Sequence, residues 1–242
     1  MSGNVYCITG TNRGLGLEFV RQLAATSSNT IIATVRNNSA DLSDLKSVAS
    51  SSTHILVCDT SDPGSVASFV PEASSLLAGR KIDFLLHVAG VNLHPEQTSL
   101  SMTADALHTN LQVNVFGLAR TTQLLLGSGA LSPDVRILNM TSGLGSLSKS
   151  EGISPRKCLP YSISKAGVNM LTVHQAEELR TAGLPGAVVM AMDPGWVKTR
   201  MGGDGAVLEP EESIGGMLKV LHSVESKDNG RFRSYDGSKV PW

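Results

Sequence analysis

An excess of charge of either sign is missing from this chain. Twenty Lys and Arg face 21 Asp and Glu, a formal net charge of −1. No global field therefore draws the chain to nucleic acid or to an anionic membrane. Cysteine is scarce as well. Cys7, Cys58 and Cys158 are odd in number and far apart, which argues against a disulfide framework or a zinc site and for a reducing compartment, so a cytoplasmic location is expected. No run of eighteen apolar residues occurs, and no membrane-spanning helix is expected. The N-terminus enters an apolar strand pattern at once, without a basic region and cleavage site, and does not read as a secretory signal. His94, His108 and His174 lack metal-ligand spacing with nearby Cys, Asp or Glu, so no metal is expected.

Glycine is plentiful, at 24 of 242 residues, and suits repeated tight strand-to-helix turns. The length suits one α/β domain spanning residues 1–242. Apolar runs of strand length occur at 5–9, 30–35, 54–58, 82–86, 135–140 and 187–192. Near-continuous apolar strands fit a parallel sheet covered on both faces. Helical patterns lie between them, near 14–27, 39–51, 62–78, 101–127, 161–182 and 210–223. Asp62 with Pro63 forms a helix-start signal, and Pro71 is expected to kink or shorten that helix. The alternation predicts right-handed crossovers in a doubly wound parallel sheet of about seven strands.

Thr9-Gly-Thr-Asn-Arg-Gly-Leu-Gly16 follows the first strand and opens the first helix. Gly10, Gly14 and Gly16 allow a sharp turn and close approach to a pyrophosphate, and the helix N-terminus offers free N–H groups. A plain Gly-rich turn is the alternative. Arg36 follows the second strand, where an NAD-binding fold places an acidic residue on the ribose 2′-OH. With Arg13 in the adjacent turn, two cations favour a 2′-phosphate and hence NADP(H); two solvated surface arginines are the alternative. Asp59, past the third strand, suits the exocyclic amine of an adenine, and equally a turn. Ala89 and Gly90 end the fourth strand and let the backbone run close to the adenine ribose.

Tyr161-Ser-Ile-Ser-Lys165 places a phenol and an ammonium on one helical face. The ammonium is expected to lower the phenol pKa toward the range of a general acid. In register with this pair stand Asn114 in Val113-Asn-Val-Phe-Gly117, Ser142 after the fifth strand, and Pro194-Gly195 after the sixth. Together these motifs resemble the short-chain dehydrogenase/reductase family over nearly the whole chain. The ending, Gly230 to Trp242, resembles its C-factor-like and sniffer-like carbonyl reductase branch.

The resemblance implies that Asn114, Ser142, Tyr161 and Lys165 are catalytic. It implies NADP contacts from Gly10, Asn12, Arg13, Gly14, Leu15, Gly16, Arg36, Asp59, Thr60, Ala89, Gly90, Asn114, Tyr161, Lys165, Pro194, Gly195, Val197 and Thr199. Tyr161 would move the proton, Lys165 would hold the nicotinamide ribose, Ser142 would hydrogen-bond the carbonyl, and Asn114 would fix a relay water. The family's Asn-Asn-Ala-Gly is here His87-Val-Ala-Gly90. His87 reads as a structural, hydrogen-bonded residue, with a catalytic base as the alternative. Cys158 reads as a packed thiol, with a substrate-facing one as the alternative. Residues 143–160 are expected to wall the substrate and 197–209 to form a mobile lid.

The function implied is NADPH-dependent hydride transfer to an aldehyde or ketone, with a small-molecule partner, no nucleic acid, no membrane and a possible homo-oligomer. A redox-neutral dehydratase, isomerase or cyclase, and a signalling protein holding NADP(H) as a structural ligand, are the alternatives.

Overall fold

The computed structural model describes residues 3–242. Seven parallel strands follow the order β3-β2-β1-β4-β5-β6-β7. These are β1 (Val5–Ile8), β2 (Thr30–Val35), β3 (Thr53–Val57), β4 (Ile82–His87), β5 (Leu131–Met140), β6 (Val188–Asp193) and β7 (Arg231–Ser234). Strand order reverses between β1 and β4, which opens a crevice at the C-terminal ends of these two strands. The helices are α1 (Gly14–Ala24), α2 (Ser43–Val48), α3 (Pro63–Leu77), α4 (Ala104–Leu111), α5 (Leu118–Gly127), α6 (Leu147–Ser150), α7 (Leu159–Thr181) and α8 (Pro210–Ser223).

Each sheet face carries its own core. Phe69 and Ala73 of α3, Leu125 of α5 and Leu179 of α7 pack with Cys7, Leu85 and Ile137 on one face. Phe19 of α1, Leu45 of α2 and Met217 of α8 pack with Tyr6, Leu86 and Met190 on the other. Alternate strand residues thus enter opposite cores, so the strands must be apolar on both sides. No helix among the described residues is long and apolar enough to cross a membrane.

Three elements differ from expectation. The pattern at 101–127 is not one helix; a π-helical turn at Gln112–Gly117 separates α4 from α5. Pro71 does not shorten its helix, because α3 runs on through it to Leu77. The ring lies on the exposed side, while Phe69, Val70 and Ala73 are buried around it; their packing offsets the single donor that proline removes. The N-cap is as expected: the Asp62 side chain accepts from Gly64 N at 2.9 Å, with Pro63 at the first helical position. Strand β7, Arg-Phe-Arg-Ser, has no apolar run to betray it and is held by pairing with β6.

His87 is 2% exposed, and its Nε2 lies 2.8 Å from Thr122 Oγ1 on α5. Its register partner on β5 is Asn139. Asn139 Nδ2 donates to Thr172 Oγ1 at 3.0 Å and Gln175 Oε1 at 2.9 Å, both on α7. The two residues bind a pair of helices to one sheet face. The structural reading of His87 fits this placement. Burial pushes its pKa down to about 3 from 6.5, so the neutral ring is the native form. The stability that depends on a neutral ring is full above pH 6.5 and is lost as pH falls toward 3. His87→Asn removes the titration. Urea midpoints measured from pH 7 to 4 should therefore fall more steeply for wild type than for the variant, and parallel curves would count against a buried neutral ring.

Candidate active site

The Gly-rich turn leaves β1 with its backbone folded back on the sheet. Thr9 Oγ1 accepts from the N–H groups of Val88 and Ala89 at 3.0 and 3.1 Å, tying the turn to the end of β4. Gly10 has φ 74°, and a Cβ there would lie 2.8 Å from Ala89 Cα. Gly14 has φ 57° at the first turn of α1. A Cβ on Gly16 would overlap the Gly10 carbonyl. Only glycine permits these approaches. Arg13 precedes α1 without a side-chain cap, so the first N–H groups of the helix have no partner from it. This cradle fits a phosphate.

The remaining residues named from the sequence line the same crevice edge in part. Leu15, in the first turn of α1, is half-buried against the core. Asn12 is half-buried, and Arg13 and Arg36 are exposed. Asp59 Oδ1 accepts from Ser61 N at 2.9 Å and Ser61 Oγ at 2.6 Å. It makes the turn that was the alternative reading, and Oδ2 is left for other work. Thr60 is buried, and its carbonyl meets the backbone at Gly117. Pro194 O accepts from Ser213 Oγ at 2.7 Å, and Gly195 has φ 79°. Val197 is buried and bridges to Leu208, folding the 197–209 segment back on itself. The Thr199 methyl lies 3.8 Å from the Cβ position of Gly14, so this segment reaches the glycine turn.

Asn114, Ser142, Tyr161 and Lys165 converge where β4, β5 and α7 meet. Asn114 sits in the π-helical turn and is 2% exposed. Its Oδ1 accepts from Val91 N at 2.9 Å, while Nδ2 donates to Val91 O and Ser164 Oγ, both at 2.9 Å. A Cβ on Gly90 would stand 3.2 Å from Asn114 Oδ1 and 3.6 Å from Lys165 Nζ, so glycine keeps this space open. Lys165 Nζ donates to the Met140 carbonyl at 2.7 Å and lies 5.5 Å from the centre of the Tyr161 ring. Ser142 Oγ accepts from Leu144 N at 3.2 Å.

The electrostatics depart from the expectation for the Tyr–Lys pair. Burial pushes the Tyr161 phenol up, not down. A hydrogen bond with the Ser142 hydroxyl opposes the rise, and the charges of Asp193 and Cys158 add to it. Burial also pushes Lys165 down to about 7. Desolvation is the largest cause for both groups. Cys158 ends beside the phenol in the left-handed region, φ 59°, with Asn92 Nδ2 3.6 Å from its Sγ. Among the described residues, no cluster of His, Cys, Asp or Glu could hold a metal ion.

The family model for short chain dehydrogenases matches residues 4–206. The chain belongs to the short-chain dehydrogenase family. The C-signal protein of Myxococcus xanthus is 35% identical over 133 residues, covering 54% of this chain and 75% of that protein. An NADPH-bound carbonyl reductase from chicken fatty liver has a similar structure, with TM-score 0.89, 30% identity and full coverage of both chains. The carbonyl reductase Sniffer of D. melanogaster follows at TM-score 0.86 and 26% identity, covering 99% of this chain and 100% of that one.

The site also holds residues that the motif reading passed over. Ser164 lies within the Tyr-x-x-x-Lys stretch; its Oγ donates to the Tyr161 carbonyl at 2.7 Å and receives Asn114. Asp193 ends β6 directly before Pro194, and that adjacency was its only sequence signal.

Lys165 supplies a test of burial. Its amine is neutral in the fold above pH 7, whereas the unfolded chain protonates it up to about 10.5. The cost of burial is full below pH 7, shrinks as pH rises, and vanishes above 10.5. Wild type should therefore gain denaturant stability relative to Lys165→Met between pH 7 and 9.5. A difference independent of pH would place a solvated amine there.

Proposed function

We propose that this oxidoreductase is an NADPH-dependent carbonyl reductase acting on an aldehyde or ketone. One observation carries the reading: Ser142, Tyr161, Lys165 and Asn114 gather at the mouth of the crevice, beside a glycine cradle shaped for a phosphate. The chicken carbonyl reductase, NADPH-bound, supports the cofactor. The working unit is the chain 1–242, with residues 143–160 as substrate wall and 197–209 as lid, in a cytoplasmic setting.

The nicotinamide cofactor supplies the hydride when bound. Gly10, Asn12, Gly14, Leu15 and Gly16 would hold its pyrophosphate, and Arg13 and Arg36 the 2′-phosphate. Asp59, Thr60, Ala89 and Gly90 would hold the adenosine. Pro194, Gly195, Val197 and Thr199 would hold the nicotinamide end, and Lys165 its ribose. Tyr161 gives its proton to the carbonyl oxygen. Its raised pKa keeps the phenol protonated at neutral pH, the form that reduction needs. Ser142 donates a hydrogen bond to the same oxygen and stabilises the charge that develops there. Lys165, poised at about 7, returns a proton to Tyr161, and Asn114 orients the relay that recharges it.

Tyr161→Phe should lower kcat by roughly 10²- to 10⁴-fold while the NADPH Kd, read by fluorescence titration, stays near wild type. Retention of more than half of wild-type kcat would remove Tyr161 as proton donor. The likeness to C-signal favours a second reading, a signalling protein with NADP(H) as a structural ligand. In that case wild type would bind NADPH without oxidising it across an aldehyde and ketone panel.

Cofactor choice rests on charge. A charge-assisted hydrogen bond is worth about 1.5–3 kcal/mol, or roughly 10- to 150-fold in affinity. Wild type should prefer NADPH to NADH, and Arg36→Asp should collapse or invert the preference. Paired titrations at two salt concentrations check this, with NADPH losing more affinity than NADH as salt rises.

A further inference from the structure

Asp193 is a buried carboxylate that the proposed reaction leaves without a task. It closes β6 and is 8% exposed. Oδ1 accepts from Gly195 N at 3.1 Å. Oδ2 faces the loop after Ser142, where a Cβ on Gly143 would lie 3.0 Å from it. The nearest cation is Lys149 Nζ on α6, at 4.0 Å. That is an ion-pair distance but too long for a hydrogen bond. Among the described residues, Oδ2 therefore has no hydrogen-bond donor. The carboxylate is largely withdrawn from bulk water, at 8% exposure, and its open oxygen is available to a donor brought by a ligand in the crevice.

The position of Lys149 is also fixed. Ser146 Oγ accepts from Lys149 N at 3.1 Å and donates to the Pro241 carbonyl at 2.7 Å. Ser148 donates to the Trp242 carbonyl through N at 3.1 Å and Oγ at 2.8 Å. The segment 239–242 thus straps down the wall helix and holds its ammonium near the crevice. The arrangement is graded: the negative charge lies deep, beside Ser142 and Tyr161, and the positive charge, half exposed, lies farther out.

We propose that Asp193 and Lys149 form a charge-based substrate selector. Asp193 turns away carbonyl compounds with an anionic group beside the reacting carbon, and favours those with a hydrogen-bond donor there. The favoured class is α-hydroxy aldehydes and ketones; the disfavoured class is 2-oxo acids. This rests on the carbonyl-reductase reading. A site whose carboxylate accepts from a substrate donor discriminates against a substrate lacking that donor, and a second anion nearby adds repulsion.

The test uses three ketones on one skeleton: 2-hydroxyacetophenone, phenylglyoxylate and unsubstituted acetophenone as reference. The readout is the ratio of kcat/KM for the hydroxyketone to that for the oxo acid. Wild type should favour the hydroxyketone. Asp193→Asn keeps an acceptor for Gly195 N but loses the charge, and should lower the ratio on the order of 10- to 100-fold. Lys149→Met, at an exposed side chain outside the core, should raise it, because the carboxylate then acts unopposed. Opposite movement of the two variants is a result that loss of folding or general damage does not produce. A wild-type preference for phenylglyoxylate, an unchanged ratio in Asp193→Asn, or a change confined to NADPH Kd would overturn the proposal. If wild type reduces none of the three ketones, the carbonyl-reductase reading fails. The selector is then judged by the same ratio taken from dissociation constants, measured calorimetrically with NADP⁺ present, under the same criteria.

Discussion

Close packing of α7 against the end of β5 is the constraint on which the candidate site depends. Thr141 Oγ1 donates to the Lys165 carbonyl at 3.1 Å, and Lys165 Nζ returns to the Met140 carbonyl at 2.7 Å. Asn169 Nδ2 reaches the Gly145 carbonyl at 3.0 Å. A Cβ on Gly145 would lie 2.7 Å from the Lys165 carbonyl carbon, so a larger residue there would push the helix from the strand. The contacts place helix, strand end and following loop at a single distance. Tyr161 and Ser142 stand on opposite sides of that junction and meet because it is tight.

The same packing sets the charge state of the interior. Lys165 is pushed to about 7, His87 to about 3 and the Cys58 thiol to about 12. Each shift has burial as its largest cause, and each moves the group toward its neutral form. Near neutral pH the junction therefore holds a neutral phenol and a lysine divided between its two states. The polar residues that bind α5 and α7 to the sheet, His87, Asn139, Thr122 and Thr172, work as neutral hydrogen-bonding groups.

The sheet was legible because both of its faces are covered. Residues such as Ile31-Ile-Ala33 and Val188-Val-Met190 must be apolar at every position, and such runs stand out without a periodicity argument. The glycine turn was legible because backbone approach excludes a Cβ, leaving glycine at Gly10 and Gly16. Other features left weaker signals. Strand β7 draws its order from pairing with β6 and has no apolar run of its own. Ser164 and Asp193 depend on which side chains surround them, and neither has a spacing that marks it. The direction of the Tyr161 shift was misread for a related reason. Helical spacing reports that a lysine is near, but it carries no information about how deeply the pair is buried, and depth decides the sign.

The π-helical turn at Gln112–Gly117 carries one residue more than an α-helix fits into the same rise. Each residue of an α-helix advances by about 100°, so the inserted one rotates every side chain after it relative to those before. Asn114 faces the crevice from inside this turn, while Gly117, at its end, is locked against the Thr60 carbonyl. The segment is therefore constrained in length as well as in composition. Substitutions at its exposed positions, such as Phe116, leave the count intact. Removing any one residue would restore the ordinary repeat and swing the carboxamide of Asn114 away from Val91. Insertions and deletions should be far rarer here than in the loops that flank the crevice, and a change in chain length would mark a protein with a different use for this position.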